Sequence, residues 1–128
     1  MIDISNREDL NNFLNNCAIG VHLVSSNGIV LWANKSELNF LGYSEDEYFG
    51  KSITDFHKDD DVIDRILTLL SNGNELTAYP ARLVAKDGNI QHVLINSNIY
   101  QKEGEFIHTR CFTSGISEVV YDELRSKM

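Results

Sequence analysis

Apolar positions follow two different periods along this chain, and each change of period marks a new element. The first helical stripe, at the spacing i, i+3, i+4, i+7, consists of Leu10, Phe13, Leu14 and Cys17. Ser5 and Glu8 precede it at the spacing of a capping box. The pattern therefore predicts an N-terminal helix with one apolar side that must be covered by something.

Two short β-type runs follow, at 18–24 and 29–34, and the letters SSNG separate them. Asn27-Gly28 supplies the positive φ values that a tight hairpin needs. The next stretch contains short helical pieces that end at Gly42 and Gly50. Ser44 and Glu47 form a second capping box inside this stretch.

The clearest helix covers residues 59–72 and is followed by Gly73. Its apolar face consists of Val62, Ile63, Ile66, Leu67 and Leu70. Three β-type runs then occupy 75–86, 90–101 and 105–114, joined by the turn sequences KDGN and QKEGE. A last helix is predicted after the N-cap Ser117, with Val119, Val120 and Leu124 on one side.

Strand runs interrupted by helical runs are typical of an α+β fold with an antiparallel sheet. The chain has 128 residues, which is the size of one domain. The pattern divides it into an N-terminal flanking helix at 1–17, a core at 18–116 and the start of a C-terminal helix at 117–128.

The run 90–101 has one apolar face, which should point toward the helices: Val93, Ile95, Ser97 and Ile99. A three-residue loop at 102–104 would pair Arg110 with Asn96. Arg110 would then point outward, with His108 and Phe112, while Ile107, Thr109, Cys111 and Thr113 point inward. A two-residue loop, Glu103-Gly104, would instead bring Arg110 inside. We favour the first register, because it avoids the burial of an unpaired guanidinium.

The net charge and the cysteine spacing exclude several classes of function. The formal net charge is −8, so a nucleic-acid surface is not expected, and an anionic membrane would repel this segment. Cys17 and Cys111 have neither CxxC nor metal-ligand spacing and are expected to be free thiols in a reducing cytoplasm. The polar start has no secretory pattern, and no apolar run reaches the roughly 20 residues of a membrane span.

The sequence FHKDDD offers acids and a histidine as candidate ligands. Neighbouring helical residues point about 100° apart, so Asp59, Asp60 and Asp61 cannot converge on one metal ion. We interpret them as acids that complement the helix dipole, one of them capping free N–H groups. His108 and Cys111 lie three apart on one strand, on opposite faces, and cannot form a local nucleophile–base pair. No catalytic residue is predicted.

The segment 28–60 and the last two strand runs resemble a PAS domain, and the likeness covers about residues 10–117. The features that carry this resemblance are the hairpin Gly28, Asn34 after the second strand, and the "LGYS…E…G" helical segment. The resemblance implies a five-stranded antiparallel sheet in the order 2-1-5-4-3, with short helices and one longer helix on one face. It is strongest to sensor modules of bacterial histidine kinases. Gly115-Ile116-Ser117 replaces the Asp-Ile-Thr that usually ties the last strand to the exit helix.

The resemblance also bears on cofactors. Haem-binding relatives place the proximal histidine in the long helix, whereas here His57 precedes it. Light-sensing relatives carry a reactive cysteine on the short helix, where this chain reads GKSITDF. We therefore expect neither haem nor covalent flavin and predict no cofactor, while an unknown small molecule stays open.

Taken together, these features predict a non-catalytic sensory or interaction module of a cytoplasmic two-component signalling protein, which passes ligand or partner state to a C-terminal effector. The alternative is a ligand-free dimerisation scaffold. The expected ligand pocket consists of His22, Trp32, Leu67, Leu83, Val93, Ile95, Cys111 and Thr113. For His22 itself a structural role is favoured over a ligand contact, although the apolar residues around it leave its face undecided. A homodimer is expected through Leu10, Phe13 and Leu14.

Overall fold

The computed structural model describes residue 3 and residues 5–128, and this part of the chain contains five α-helices and five strands. The helices are α1 (Arg7–Asn16), α2 (Lys35–Leu41), α3 (Glu45–Tyr48), α4 (Asp60–Ser71) and α5 (Glu118–Ser126). The strands are β1 (Gly20–Val24), β2 (Val30–Ala33), β3 (Leu76–Val84), β4 (Ile90–Lys102) and β5 (Glu105–Gly115). A short 3₁₀ helix, Ile53–Phe56, lies between α3 and α4. None of the helices described is long and apolar enough to cross a membrane.

The five strands form one antiparallel sheet in the order β2-β1-β5-β4-β3, which confirms the predicted α+β architecture. The apolar face of α4 closes one side of this sheet, and Val62, Ile63, Ile66 and Leu70 are buried there. Leu67, on the same face, is only partly buried. The interior therefore lies between α4 and the sheet, and the periodicity of each element had placed these side chains there.

The β4–β5 hairpin keeps the predicted faces but not the predicted register. Glu103 and Gly104 form a two-residue loop, and both have positive φ. A two-residue loop by itself would exchange the inward and outward faces of β5. A bulge next to Tyr100 adds one residue to β5 and so restores the predicted faces. Arg110 therefore pairs with Asn98, not Asn96, and still points away from the core. The expected three-residue loop was wrong, because a bulge cannot be read from alternation alone.

The capping predictions had mixed outcomes. Asn6, not Ser5, caps α1, and its side chain accepts hydrogen bonds from the N–H groups of Glu8 and Asp9. The Ser44–Glu47 capping box is present. In the first hairpin Gly28 has positive φ, as predicted, but Asn27 does not.

The acidic run at the start of α4 does not cap in the predicted way. Asp59 occupies the N-cap position, yet its side chain makes no capping hydrogen bond. Instead, both its carboxylate oxygens accept hydrogen bonds from Arg82, at 2.9 and 2.5 Å. Arg82 lowers the pKa of Asp59 from its ordinary value, mainly through this hydrogen bond. The remaining acids, Asp60 and Asp61, lie in the first turn, where they complement the helix dipole.

The N-terminal helix packs beside α2 in this chain. Leu10 is 39% exposed and Phe13 54% exposed, whereas Leu14 is half-buried. Asn34 fixes the end of the helix by donating to the carbonyl of Leu14 at 2.7 Å. The dimer contact assigned to these three apolar residues stays a prediction.

The C-terminal helix begins after Ser117, whose side chain accepts a hydrogen bond from the N–H of Val120, as predicted. The helix folds back on β3 and β4, with Tyr121 as its buried residue. The ring of Tyr121 meets that of His92 edge-on at 5.1 Å. Val119 is 76% exposed, so the predicted apolar side of this helix is not the side that contacts the core.

The glycine that departs from the usual family signature has a local steric reason. A Cβ atom at Gly115 would lie 3.2 Å from the ring of Phe40, closer than ordinary van der Waals contact. The next residue, Ile116, donates its backbone N–H to the carbonyl of His92 at 2.8 Å. The exit from β5 is thus held by backbone hydrogen bonding and by close packing on Phe40.

Candidate functional site in the core

A small cavity lies between the sheet and α4, with a volume of about 20 Å³, enough for one water-sized molecule. It is much smaller than the several hundred Å³ of typical pockets for organic ligands. Its wall is mostly aliphatic, with two histidines, a threonine and a cysteine. The lining residues are His22, Val24, Ile53, His57, Ile63, Ile66, Leu67, Leu70, Ile95, Thr109 and Cys111.

The strongest polar contact at this cavity joins His22 on β1 to Glu37 on α2. The Nδ1 atom of His22 lies 2.8 Å from Oε2 of Glu37, and Glu37 is fully buried. Asn34 orients Glu37 by accepting a hydrogen bond from its backbone N–H. Gly20 leaves room for the carboxyl group, since a Cβ atom there would lie 3.1 Å from it. Backbone and side chains thus fix this buried pair.

The thiol of Cys111 lies on β5, directly opposite His22 on the neighbouring strand. Its Sγ is 2.9 Å from the hydroxyl of Ser97 and 3.2 Å from that of Thr109. Burial alone would raise the pKa of this thiol. The positive charge of His22 and the two hydroxyl groups outweigh burial and hold the pKa of Cys111 below its ordinary value.

The neighbours of His22 favour the charged form of its imidazole. Burial disfavours the imidazolium, but the neighbouring Cys111 and Glu37 overcome that penalty and raise the pKa of His22 to about 10. A cationic ring therefore lies between two anionic or potentially anionic groups in the core. Such an arrangement can stabilise a thiolate without any contact with bulk water.

His57 also lines the cavity; it follows the 3₁₀ helix and forms an isolated bridge to Leu83 on β3. It is 8% exposed, and its Nδ1 has no hydrogen-bond partner among the residues that the structure describes. Burial first, and then the charge of His22, lower the pKa of His57 to about 3. His57 is therefore a buried ring whose neutral form is favoured and whose Nδ1 is left without a partner among the described residues.

Four of the eight predicted pocket residues line the cavity: His22, Leu67, Ile95 and Cys111. Leu83 and Val93 are buried in the surrounding core, away from the cavity wall, and Thr113 is buried farther along β5. Trp32 pairs with Leu23 on the other face of the sheet and is partly exposed. Whether any of these residues binds a ligand stays a prediction.

Two buried polar residues at or next to the cavity, Glu37 and His57, were not among the predicted pocket residues. Glu37 had a visible signal, because it shares the helical stripe i, i+3, i+4, i+7 with Asn34, Leu38 and Leu41. An acid among buried positions needs a partner in the core. His57 was considered only as a flank of α4, and nothing local in the sequence shows that it faces inward.

The described residues hold no group of three or more His, Cys, Asp or Glu side chains placed to bind a metal ion. Cys111 and His108 lie on opposite faces of β5, as the strand period predicts, and the ring of His108 packs against Tyr100 on the outer side. The chemistry available at the cavity is therefore that of a thiol, an imidazolium–carboxylate pair and a neutral imidazole.

An antiparallel sheet in this order, with helices over one face and a small, mostly aliphatic core cavity, is the architecture expected of a PAS domain. The chain belongs to the PAS family: the family model described as PAS fold matches residues 8–113. None of the curated proteins matches this sequence.

Solved structures support the same fold assignment. The PAS domain of an HTR-like protein from Haloarcula marismortui is 21% identical, with a TM-score of 0.74 over 85% of this chain and 90% of that chain. A PAS domain from Colwellia psychrerythraea is 17% identical, with a TM-score of 0.76 over 91% and 99%. A PAS domain from a two-component sensor histidine kinase is 16% identical, with a TM-score of 0.71 over 85% and 95%. Identities this low establish the fold alone.

Proposed function

We propose that this chain is a non-catalytic sensory PAS module of a signalling protein, a histidine kinase or a similar enzyme, and that it passes the state of its core cavity to a C-terminal effector. The observation that carries the proposal is the buried polar cluster of His22, Glu37 and Cys111 at a cavity. A domain that served only as a spacer would have no need of charged groups in its core, because apolar residues of similar volume are often at least as stable.

The strand that carries Cys111 leads directly to the proposed output element. Thr109 and Cys111 line the cavity, and β5 continues to Gly115, after which Ser117 begins α5. A shift of β5 by a fraction of an ångström at the cavity would therefore change the start of the helix. This connection supports α5 as the segment that transmits the signal.

A second connection runs through side chains. His57 lines the cavity, and two residues later Asp59 holds Arg82 through two hydrogen bonds. The guanidinium of Arg82 lies 5.9 Å from the ring centre of Tyr121 on α5. A change around His57 could thus alter the contact that keeps α5 against the sheet. These contacts make α5 the element whose docking we expect to respond.

Native mass spectrometry of the chain purified from its own host tests the proposal, because it reports bound or covalent additions and oligomeric state together. We expect an addition of a few atoms, or a small guest, on the folded chain, since the cavity accepts little more. Its removal should change hydrogen exchange of the backbone amides of α5. An unmodified, unliganded chain whose α5 exchange is unaffected by substitution of His57 would contradict a sensory role.

A dimerisation scaffold is the second candidate, and the exposed apolar side of α1 favours it. Deletion of residues 1–16 is expected to give a monomer or an aggregating core, because the side chains of Leu10 and Phe13 are exposed in the single chain. Deletion of residues 118–128 should leave a dimer, because this short segment supplies too little surface to hold two chains together.

Analytical ultracentrifugation of the two truncated chains, each compared with the full chain, measures this difference. The deletion of 118–128 serves as the matched control for loss of a terminal helix. If the chain without residues 1–16 remains a stable and soluble dimer, the apolar side of α1 is not the dimer contact.

A further inference from the structure

The outer face of the sheet, which points away from the core cavity, carries a cleft with a volume of about 230 Å³. Pockets for small organic ligands begin at about 300 Å³, so this cleft is close to the size of a site for a small metabolite. Most of the side chains that line it are polar, in contrast to the wall of the core cavity. The wall of the cleft includes Glu75, Thr77, Asn96, Asn98, Arg110 and Phe112.

A bulge in β3 borders this cleft. The register shifts between Leu76 and Tyr79, so Thr77 and Ala78 together lie opposite Asn96 on β4. Ala78 has a φ of 49°, in the left-handed region that residues other than glycine rarely adopt. Its backbone N–H donates to Oδ1 of Asn96 at 2.9 Å, so a side chain replaces the ladder bond that the bulge breaks. Bulges and strained backbone of this kind are frequent beside functional sites.

Two half-buried amides on β4 supply hydrogen-bond donors to the cleft. The amide oxygen of Asn96 accepts from Ala78, and that of Asn98 accepts from Nε of Arg110 at 2.9 Å. These contacts fix the orientation of both amides, because each partner is a donor. The Nδ2 groups of Asn96 and Asn98 have no hydrogen-bond partner among the residues that the structure describes. Each of these groups carries two N–H donors, which suit an anionic acceptor.

The guanidinium of Arg110 is held in place and yet has no carboxylate partner. Its Nη2 atom donates to the carbonyl of Ile99 at 3.0 Å, and its carbon lies 5.8 Å from the ring centre of Tyr100. The chain has 19 acidic residues and 11 lysines and arginines, but none of the ion pairs of the described residues includes Arg110. Its remaining N–H donors are therefore available to a carboxylate from outside the chain.

A negative group lies across the cleft from this arginine. Glu75 directly precedes Leu76, which pairs with Ser97, so Glu75 lies next to Asn98 on one side. Arg110 pairs with Asn98 from the other side. The backbones that carry the two charges are therefore two strand spacings apart, roughly 10 Å, and both side chains line the cleft. Glu75 is exposed and belongs to none of the ion pairs of the described residues.

We propose that this cleft binds a free amino acid with an apolar side chain. Arg110 and the amides of Asn96 and Asn98 hold its carboxylate, and Glu75 holds its ammonium group. The ring of Phe112, which is 40% exposed in the cleft, covers its side chain. A simple carboxylate fits less well, because Glu75 repels it. The site is separate from the core cavity, and the inference goes beyond the sensory function proposed above without depending on it.

NMR titration of the isotope-labelled full chain with L-leucine tests the site. We expect saturable shifts of the side-chain amide signals of Asn96 and Asn98, with a Kd of about 1 mM or tighter. The amide of Asn89, in the β3–β4 turn outside the cleft, should not move. 4-Methylpentanoate lacks the ammonium group and 3-methylbutylamine lacks the carboxylate, so each should bind at least about tenfold more weakly. Equal binding of L-leucine and 4-methylpentanoate, or no saturable shift up to about 20 mM L-leucine, overturns the assignment.

Three variants assign the two charges, and all three replace exposed side chains, so the fold should be retained. Arg110→Gln should weaken binding of L-leucine at least about tenfold, because a charge-assisted hydrogen bond to the carboxylate is lost. Glu75→Gln should weaken binding of L-leucine but strengthen that of 4-methylpentanoate. Arg65→Gln is the matched control, since it removes the same charge from α4, on the other side of the sheet. Equal losses in Arg110→Gln and Arg65→Gln, or a Glu75→Gln variant that binds both compounds as the wild type does, would contradict the proposed contacts.

Discussion

Substitution of Glu37 by leucine is expected to lower the free energy of unfolding by about 3–5 kcal/mol, the usual result of removing one partner from a buried ion pair. Glu37 is fully buried and contacts the ring of His22 at 2.8 Å. Without it, the ring of His22 would remain in the core without its carboxylate partner. The loss should be measured by urea unfolding at neutral pH.

Two further variants show whether the charge pair causes the loss. Glu47→Gln removes a carboxylate from the surface, where Glu47 contacts Lys86, and should leave the free energy of unfolding nearly unchanged. The double variant His22→Leu/Glu37→Leu removes both charges and should recover much of the stability lost in the single variant. If the double variant is no more stable than Glu37→Leu, the packing volume of these residues matters and their charge does not.

The decrease in the free energy of unfolding below pH 7 is expected to depend on His57. Burial lowers the pKa of His57 to about 3, below the value of about 6.5 that it would have in the unfolded chain. Between these two values, His57 is protonated in the unfolded chain and neutral in the folded chain. The contribution of His57 is fully present above pH 6.5 and is lost as the pH falls toward 3.

Between pH 7 and pH 5 this single histidine should reduce the free energy of unfolding by about 2 kcal/mol. His57→Asn and His57→Phe both remove the titrating ring, so both should flatten the profile in that interval whatever their stability at pH 7. His22 has the opposite sign, because its pKa is raised to about 10 and its contribution is lost only as the pH rises through that value.

Urea unfolding of the wild type and both variants at several pH values between 5 and 7 gives the difference directly. The effect of His22 is common to all three proteins and cancels in the comparison. Carboxylates whose pKa is lowered, such as Glu47, act mainly at lower pH. Identical slopes in the wild type and in both variants would show that His57 is accessible to protons in the folded protein.

Much of the fold could be predicted from local patterns. The α4 stripe, the alternation along β4 and the turn glycines each depend on neighbours within a few residues. The burial of Val93, Ile95 and Ser97 on one face followed from the period of two alone. The same reasoning failed at the β4–β5 loop, where a tight turn and a bulge compensate each other. Two compensating features leave the faces unchanged and give no sign in the pattern.

The candidate site depends on contacts between residues that are distant in the chain, which local patterns do not reveal. His22 and Glu37 are 15 residues apart in the chain, and Cys111 meets His22 only because β5 pairs with β1 in the centre of the sheet. The sequence marked His22 and Cys111 as pocket candidates but left the face of His22 open. It gave no sign that His57 would line the cavity, since that depends on the bridge between the segment before α4 and Leu83 on β3.

By itself, the sequence determined the order of elements, the antiparallel sheet and the apolar faces, because periodicity and turn chemistry act over a few residues. Tertiary structure alone decided that Glu37 pairs with His22 and that Tyr121 docks α5 on the sheet. It also decided that Asp59 pairs with Arg82 and does not cap its own helix. The physical reason is that a buried charge takes whichever partner the packed core brings within reach, and that partner is distant in the chain.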